Sequence, residues 1–201
     1  MLVRFIRVIF VNVAIGVSIA SDMPMRLVGS RCAVRPWQLS DADAVVRHAN
    51  NANVARQLRD RFPHPYSRAN AMAFLKAALS SADESNLAIE VDGEAAGAIG
   101  YVTGTDVERY SAEIGYWLGE AQWGRGIVTE ALTLVTEHVF AHAGVLRLFA
   151  LPFVDNSGSI RVLEKAGYVR EGILKCSSVK YGKARDQALY ARINPDWRAG
   201  S

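Results

Sequence analysis

Trp123-Gly124-Arg125-Gly126-Ile127-Val128 constrains this 201-residue chain more than any other stretch. Two glycines, one residue apart, separate a strand-like run, Ser111 to Leu118, from a helix-like run that follows directly. So short a turn from strand to helix calls for backbone conformations that glycine takes without steric cost. The first amides of the following helix have no internal acceptor, and the helix dipole adds partial positive charge at that end. The segment therefore reads as an anion site for phosphate or pyrophosphate, formed by the main chain from Gly124 to Thr129. The plainer reading is a tight connection that binds nothing, and an isolated Gly-x-Gly does not separate the two.

Regular punctuation surrounds this turn. Arg31 to Arg35 reads as a short strand before Pro36, and Ser40 as the cap of a helix from about Asp41 to Asn50, with Asp43 in a capping box. Pro63 and Pro65 make Arg59 to Tyr66 a loop, and Ser67 opens a second helix with Ala71, Phe74, Leu75, Ala78 and Leu79 at helical spacing. Period-two patterning then predicts strands over Asn86 to Val91 and Ala95 to Thr103, joined by a tight turn at Asp92-Gly93. The long helix after the glycine turn carries Val128, Ala131, Leu132, Val135 and Val139 on one face and stops at Gly144. Leu146 to Leu151 reads as a buried strand, Asn156 as the cap of a helix to Ala166, and Gly167 as its stop. Two last strands are predicted over Val169 to Ser178 and Gln187 to Ile193. The order βααβββαβαββ implies one α/β (α+β) domain whose mixed, mostly antiparallel sheet is flanked by helices.

Bulk properties narrow the function. The length fits one domain with a real core. A net charge of +3 without clustered Lys or Arg suits an anionic small ligand and argues against nucleic acid as a partner. Cys32 and Cys176 show no metal-ligand spacing, which points to a reduced, cytoplasmic protein. His138 and His142 stand four apart on the long helix, but no third ligand accompanies them, so no metal is expected. Leu2 to Ala20 conflicts with this picture, being apolar apart from Arg4, Arg7 and Asn12. Residues 1–24 read as an extension, either a secretory signal, a membrane-associated anchor, or residues upstream of a true start at Met23 or Met25, and 25–201 as the domain.

Three segments together carry a family resemblance. They are Glu113-Ile114-Gly115-Tyr116-Trp117-Leu118 followed by Trp123 to Ala131, Asn156-Ser157-Gly158-Ser159-Ile160-Arg161 through Tyr168, and Asp186 with Leu189-Tyr190-Ala191. At this spacing the chain resembles the GNAT superfamily of acetyl-CoA-dependent N-acetyltransferases, and within it the RimJ/RimL branch of ribosomal-protein N-terminal acetyltransferases, over about Arg31 to Ile193. The resemblance implies a GNAT-type domain that uses acetyl-CoA as acetyl donor, without a metal, for direct attack by an amine in a ternary complex. The acceptor would be a peptide or protein N-terminal α-amine or a small amine. A homodimer is left open, and a non-catalytic acyl-CoA-binding module is the alternative.

The same resemblance implies residue roles. Trp123, Gly124, Arg125, Gly126, Ile127, Val128 and Thr129 would form the pyrophosphate turn, with Arg125 also a charge partner and Val128 adding bulk where the family has a small residue. Backbone groups of Trp117 and Leu118 would pair with the pantetheine amides, as an added strand does. Asn156 would contribute a hydrogen bond to the coenzyme beyond its cap. Glu113 would be the base, helped by the fact that a peptide α-amine has a pKa of ~8 against ~10.4 for lysine. The family's usual tyrosine position holds Leu163, which cannot donate a proton, so Ser159, one turn earlier, would serve the leaving thiolate. Arg59, Arg61, His64 and Tyr66 occupy the loop where the superfamily builds its acceptor site.

Overall fold

The computed structural model describes residues 26–80 and 85–198. The apolar stretch 2–20, and with it the choice among signal, anchor and internal start, lies outside them. The described elements are β1 (Leu27–Val28), β2 (Ala33–Arg35), α1 (Ala42–Ala49), α2 (Ala52–Ala55), α3 (Arg68–Ser80), β3 (Asn86–Val91), β4 (Glu94–Thr103), β5 (Ser111–Leu118), α4 (Ile127–His142), β6 (Arg147–Ala150), α5 (Ser157–Lys165), β7 (Val169–Lys180) and β8 (Lys183–Ile193). The predicted order is recovered with two additions, the two-residue β1 and the single turn α2.

The strands form one sheet in the order β1-β2-β3-β4-β5-β6-β8-β7. Every neighbouring pair is antiparallel except β5 and β6, which run parallel. That parallel step follows from the connection: α4 carries the chain back across the sheet so that β6 starts at the same end as β5. Asp92 and Gly93 both take positive φ (51° and 81°), which suits the right-handed twist of the β3–β4 hairpin.

Each face of the sheet buries its own core. Val34, Leu87, Ile89, Ile99, Ile114, Leu118 and Leu148 meet Ile127, Leu132, Val135, Val139 and Leu163 on the side of α4 and α5. Trp37, Ala88, Ala98, Tyr66, Val45, Ala71 and Leu75 form a second cluster on the side of α1 and α3. Each fully buried Leu or Ile contributes roughly 1.5–3 kcal/mol, so these faces hold the helices in place.

Two local expectations need correction. Ser40 does not cap α1; it sits within a 3-10 turn, Leu39–Asp41, and the N–H of Gln38 donates instead to Asp41 at 2.8 Å. Asp41 is buried because Arg35 reaches it with two hydrogen bonds of 2.8 and 2.9 Å, a partner 6 residues back that local spacing does not reveal. The last two strands are also longer than predicted. They meet at Tyr181-Gly182, both at positive φ, a turn hidden because tyrosine seldom takes that conformation.

Candidate functional site

β5 decides the geometry of the site. Its parallel pairing with β6 covers only Ser111, Ala112 and Glu113, whereas its pairing with β4 continues to Leu118. Beyond Glu113, therefore, one edge of β5 has no neighbouring strand among the described residues. In an antiparallel ladder alternate residues direct their backbone groups to opposite sides. The Gly119 N–H donates to Ala96 at 2.9 Å and the Ser111 carbonyl accepts from Gly104 at 2.8 Å, so the odd-numbered residues bond to β4. Ile114, Tyr116 and Leu118 turn theirs to the open edge. Trp117 thus spends its backbone on β4, opposite Ala98, and Tyr116, its neighbour, turns its backbone to the open edge, the slot beside β5. The Leu118 carbonyl is occupied by the Trp123 indole N–H at 2.8 Å, so Trp123 fastens the following turn to the strand.

That turn leads into α4. Gly124 and Gly126 stand at φ 77° and 76°, a left-handed conformation that would strain any residue with a Cβ. Space above them is open: a Cβ at Gly124 would meet nothing within 4 Å, and one at Gly126 only the Arg31 side chain, 3.5 Å away. Asn51 and Asn156 cap α2 and α5 with their side chains, but no side-chain hydrogen bond closes the start of α4. The N–H groups of Ile127, Val128 and Thr129 are the helix's first, where no acceptor exists within the helix. Val128 packs partly against the core, which takes up its bulk below the turn. Arg125 is half exposed and engages Gln122 and, at 3.7 Å, Asp92.

Behind the turn lies a clasp that sequence reasoning missed. Glu130, in the first turn of α4, accepts hydrogen bonds from the N–H groups of Ser30, Arg31 and Cys32 at 3.0, 2.7 and 3.1 Å and from the Ser30 hydroxyl at 2.7 Å. Burial works to raise its pKa, but those hydrogen bonds outweigh it and hold the carboxyl down to about 2. Burial and the neighbouring carboxylate push the Cys32 thiol up to about 12, which makes it an inert core residue. Gly29 is required by this contact, since a Cβ there would lie 2.4 Å from the Glu130 carboxyl. The contact spans about a hundred residues of sequence, so no local pattern signals it. It sets Arg31 beside the turn.

Side chains divide by face. Ile114, Tyr116 and Leu118 lie toward α4 and α5, while Trp117 packs on the opposite core. On the first face the Tyr116 hydroxyl is 2.8 Å from the Ser159 hydroxyl. Asn156 accepts the Ser159 N–H at 3.1 Å, so Asn156 performs the capping and the Ser159 hydroxyl is turned to Tyr116 instead. Leu163 is fully buried in the core. On the second face Glu113 forms an ion pair with Arg59, from the loop after α2. Gly115 lies between Glu113 and Trp117, and a Cβ there would meet nothing within 4 Å, so this face is open beside the slot. The end of the β7–β8 hairpin borders the same loop through Lys180 to Asp60 at 2.8 Å and Arg185 to the Arg56 carbonyl at 3.1 Å. Among the described residues neither His64 nor Arg61 hydrogen-bonds or ion-pairs with Glu113; Tyr66 is buried and packs on Phe62, which in turn meets Trp117.

The arrangement can hold an elongated anionic ligand with its phosphates on α4 and an extended arm along β5. An acidic and a hydroxyl group then flank the slot from opposite faces. Among the described residues no group of three or more His, Cys, Asp or Glu could hold a metal ion. None of the described helices is long and apolar enough to cross a membrane. A second cavity, lined by Arg26, Arg35, Asp41 and Glu90, has its charges matched internally, with Arg26 2.7 Å from Glu90.

Comparison with known proteins identifies the frame. The family description "Acetyltransferase (GNAT) domain" matches residues 31–169. The Bacillus subtilis protein named "Probable N-acetyltransferase YjcK" is 42% identical over 86 residues, 43% of this chain and 48% of the relative. The Escherichia coli ribosomal-protein-serine acetyltransferase is 42% identical over 84 residues, 41% of this chain and 46% of that protein. The chain spans about half the length of these two curated relatives. Among solved structures, Mycobacterium smegmatis RimJ in complex with CoA-disulfide superposes with a TM-score of 0.75 at 25% identity, covering 85% of this chain and 88% of that one.

Proposed function

This chain belongs to the acetyltransferase (GNAT) family, and from that premise we propose that it moves an acetyl group from acetyl-CoA to a primary amine. The acceptor class we favour is a peptide or protein N-terminal α-amine, in keeping with the E. coli relative named for ribosomal-protein serine. A small amine is the other class the site admits. The observation that carries the reading is the start of α4: a glycine turn at positive φ with open space above it and no side-chain cap. It adjoins a strand edge without a partner strand.

In this reading the main chain from Gly124 to Thr129 binds the pyrophosphate, aided by the helix dipole, with Arg125 as a nearby cation. The backbone groups of Tyr116 and the N–H of Leu118 are offered to the pantetheine arm, as they would be to an added strand. Asn156, which caps α5, contributes a further hydrogen bond to the coenzyme. The thioester then lies in the slot, and the acceptor approaches from the face of Glu113 and Gly115. The amine lone pair forms the new C–N bond, and the C–S bond breaks with its electrons on sulfur. The surplus amine proton leaves through Glu113 or a water molecule to solvent. The Ser159 hydroxyl donates a hydrogen bond to the departing thiolate, which takes its final proton from solvent. A thiol pKa of ~8.5 makes that last protonation undemanding near neutral pH.

The test is calorimetric binding of acetyl-CoA together with thiol release against a panel of amines: peptides beginning with Ser or Ala, polyamines, amino sugars and amino acids. Turnover with at least one α-amine peptide is expected. Tight coenzyme binding without turnover on any panel member would replace the enzyme by a non-catalytic acyl-CoA-binding module. One observation favours that second reading, the ion pair that already occupies Glu113.

A further inference from the structure

We propose that Tyr116 is a positioning residue for expulsion of the coenzyme thiolate, acting by fixing the Ser159 hydroxyl so that its proton points at the sulfur. The inference rests on the acetyl-transfer reading above. Two hydroxyls 2.8 Å apart share one hydrogen bond, and the chemistry of the groups sets its direction. A phenol is a far stronger acid than an aliphatic alcohol and hence the better donor, while the alcohol oxygen is the better acceptor. Tyr116 therefore donates and Ser159 accepts, which leaves the serine proton for another partner. Burial also pushes the Tyr116 phenol above its ordinary value, so it stays protonated as a donor.

Ser159 is otherwise uncommitted. A serine in the first turn of a helix commonly bonds to the backbone, but here Asn156 holds that role. Tyr116 belongs to the strand edge without a partner strand, and its phenol O–H also donates to the Ser159 carbonyl at 3.3 Å, the longer arm of a hydrogen bond whose shorter arm is the Ser159 hydroxyl, which fixes the ring against α5. A phenol that donates to a hydroxyl polarises it and strengthens the next hydrogen bond in the chain. The pair thus forms a short donor relay, Tyr116 to Ser159 to sulfur, with its last proton beside the slot. No proton need be transferred along it. It stabilises the negative charge that develops on sulfur as the C–S bond breaks.

The experiment is a double-mutant cycle with Tyr116→Phe, Ser159→Ala and the combination. It reads kcat and KM for acetyl-CoA with the best acceptor of the panel, and thioester hydrolysis without acceptor, since both expel the same thiolate. Tyr116→Phe is expected to lower kcat about tenfold, the worth of one hydrogen bond in the transition state. KM for acetyl-CoA should stay within about twofold, because the bond matters only when charge develops on sulfur. Adding Tyr116→Phe to Ser159→Ala should change nothing further. Multiplicative losses in the double variant, an unchanged kcat in Tyr116→Phe, or a loss confined to KM would each overturn the role of Tyr116 while leaving the transferase intact. A wild-type chain that binds no acetyl-CoA would instead remove the transferase reading and this inference with it. Thermal unfolding of all three variants separates a kinetic loss from a folding defect.

Discussion

The two faces of β5, which in the proposed reaction hold the two reactants, are built from different materials. Toward α4 and α5 the structure relies on main-chain N–H groups, two glycines at positive φ, and multiple hydrogen bonds such as those of the Glu130 clasp. Toward α1 and α3 it relies on a long, exposed side chain, Arg59 on Glu113. Main-chain groups cannot be exchanged by mutation, so a site built from them tolerates little change of ligand. Exposed ion pairs contribute ~0–1 kcal/mol each and are easily rearranged. The difference teaches that a fixed donor and a variable acceptor suit the first and second face respectively.

Five substitutions would break or sharpen this contrast. The largest effect is expected from Gly126→Leu, which strains the left-handed turn and fills the space above α4. Acetyl-CoA affinity should fall at least about 100-fold, the loss of more than one charge-assisted hydrogen bond. Calorimetry showing affinity within a few fold of wild type would place the phosphates elsewhere.

Next comes Glu130→Gln, which puts an amide among donors that need an anion. A loss of about 2 kcal/mol in denaturant unfolding is expected at neutral pH. The sign of the pH dependence follows from the lowered pKa. Because the folded carboxyl titrates near 2 against an ordinary 4.5, its stabilisation is complete above about 4.5 and is lost as pH falls toward 2. The variant should lack that acid-side slope; retention of the same slope would show that another carboxylate supplies it. Gly29→Ala tests the same clasp from the other side and should match its stability loss.

On the opposite face, Glu113→Gln is expected to lower kcat about tenfold or more with acetyl-CoA affinity unchanged. Steady-state rates equal to wild type would remove Glu113 as the base without touching the coenzyme site. The smallest effect belongs to Arg59→Ala, whose side chain is 62% exposed. Acceptor KM should shift about two- to fivefold, with unfolding stability within about 0.5 kcal/mol of wild type. A stability loss larger than that would mean the second face is built as firmly as the first.

Much of the fold is legible along the chain because its signals are local. Asp92-Gly93, Gly144 and Gly167 mark turns by backbone chemistry that does not depend on distant residues. The long helix and the strand before it are legible from periodicity, and the glycine turn from its position between them. The failures share a cause. Asp41 looks like an ordinary helix-start acid until Arg35 is seen beneath it, and Ser40 looks like a cap until Asp41 takes that place. Tyr181-Gly182 escapes notice because tyrosine at positive φ carries no sequence signature. Trp117 and Tyr116 are adjacent aromatics, and which one turns its backbone to the slot depends on the ladder with β4, a register that neither residue encodes alone.

The amino-acid sequence alone determined the order of the main elements, the glycine turn before α4 and the family to which the chain belongs, because each is written in residue types at short spacing. Tertiary structure alone decided what flanks that turn. It brought Glu130 under residues 30–32, Arg59 onto Glu113 and Tyr116 onto Ser159, contacts 43 to 100 residues apart in the chain. Such pairs are selected by how strands register and helices pack, and the free energy that forms them is shared across both cores rather than held in either partner.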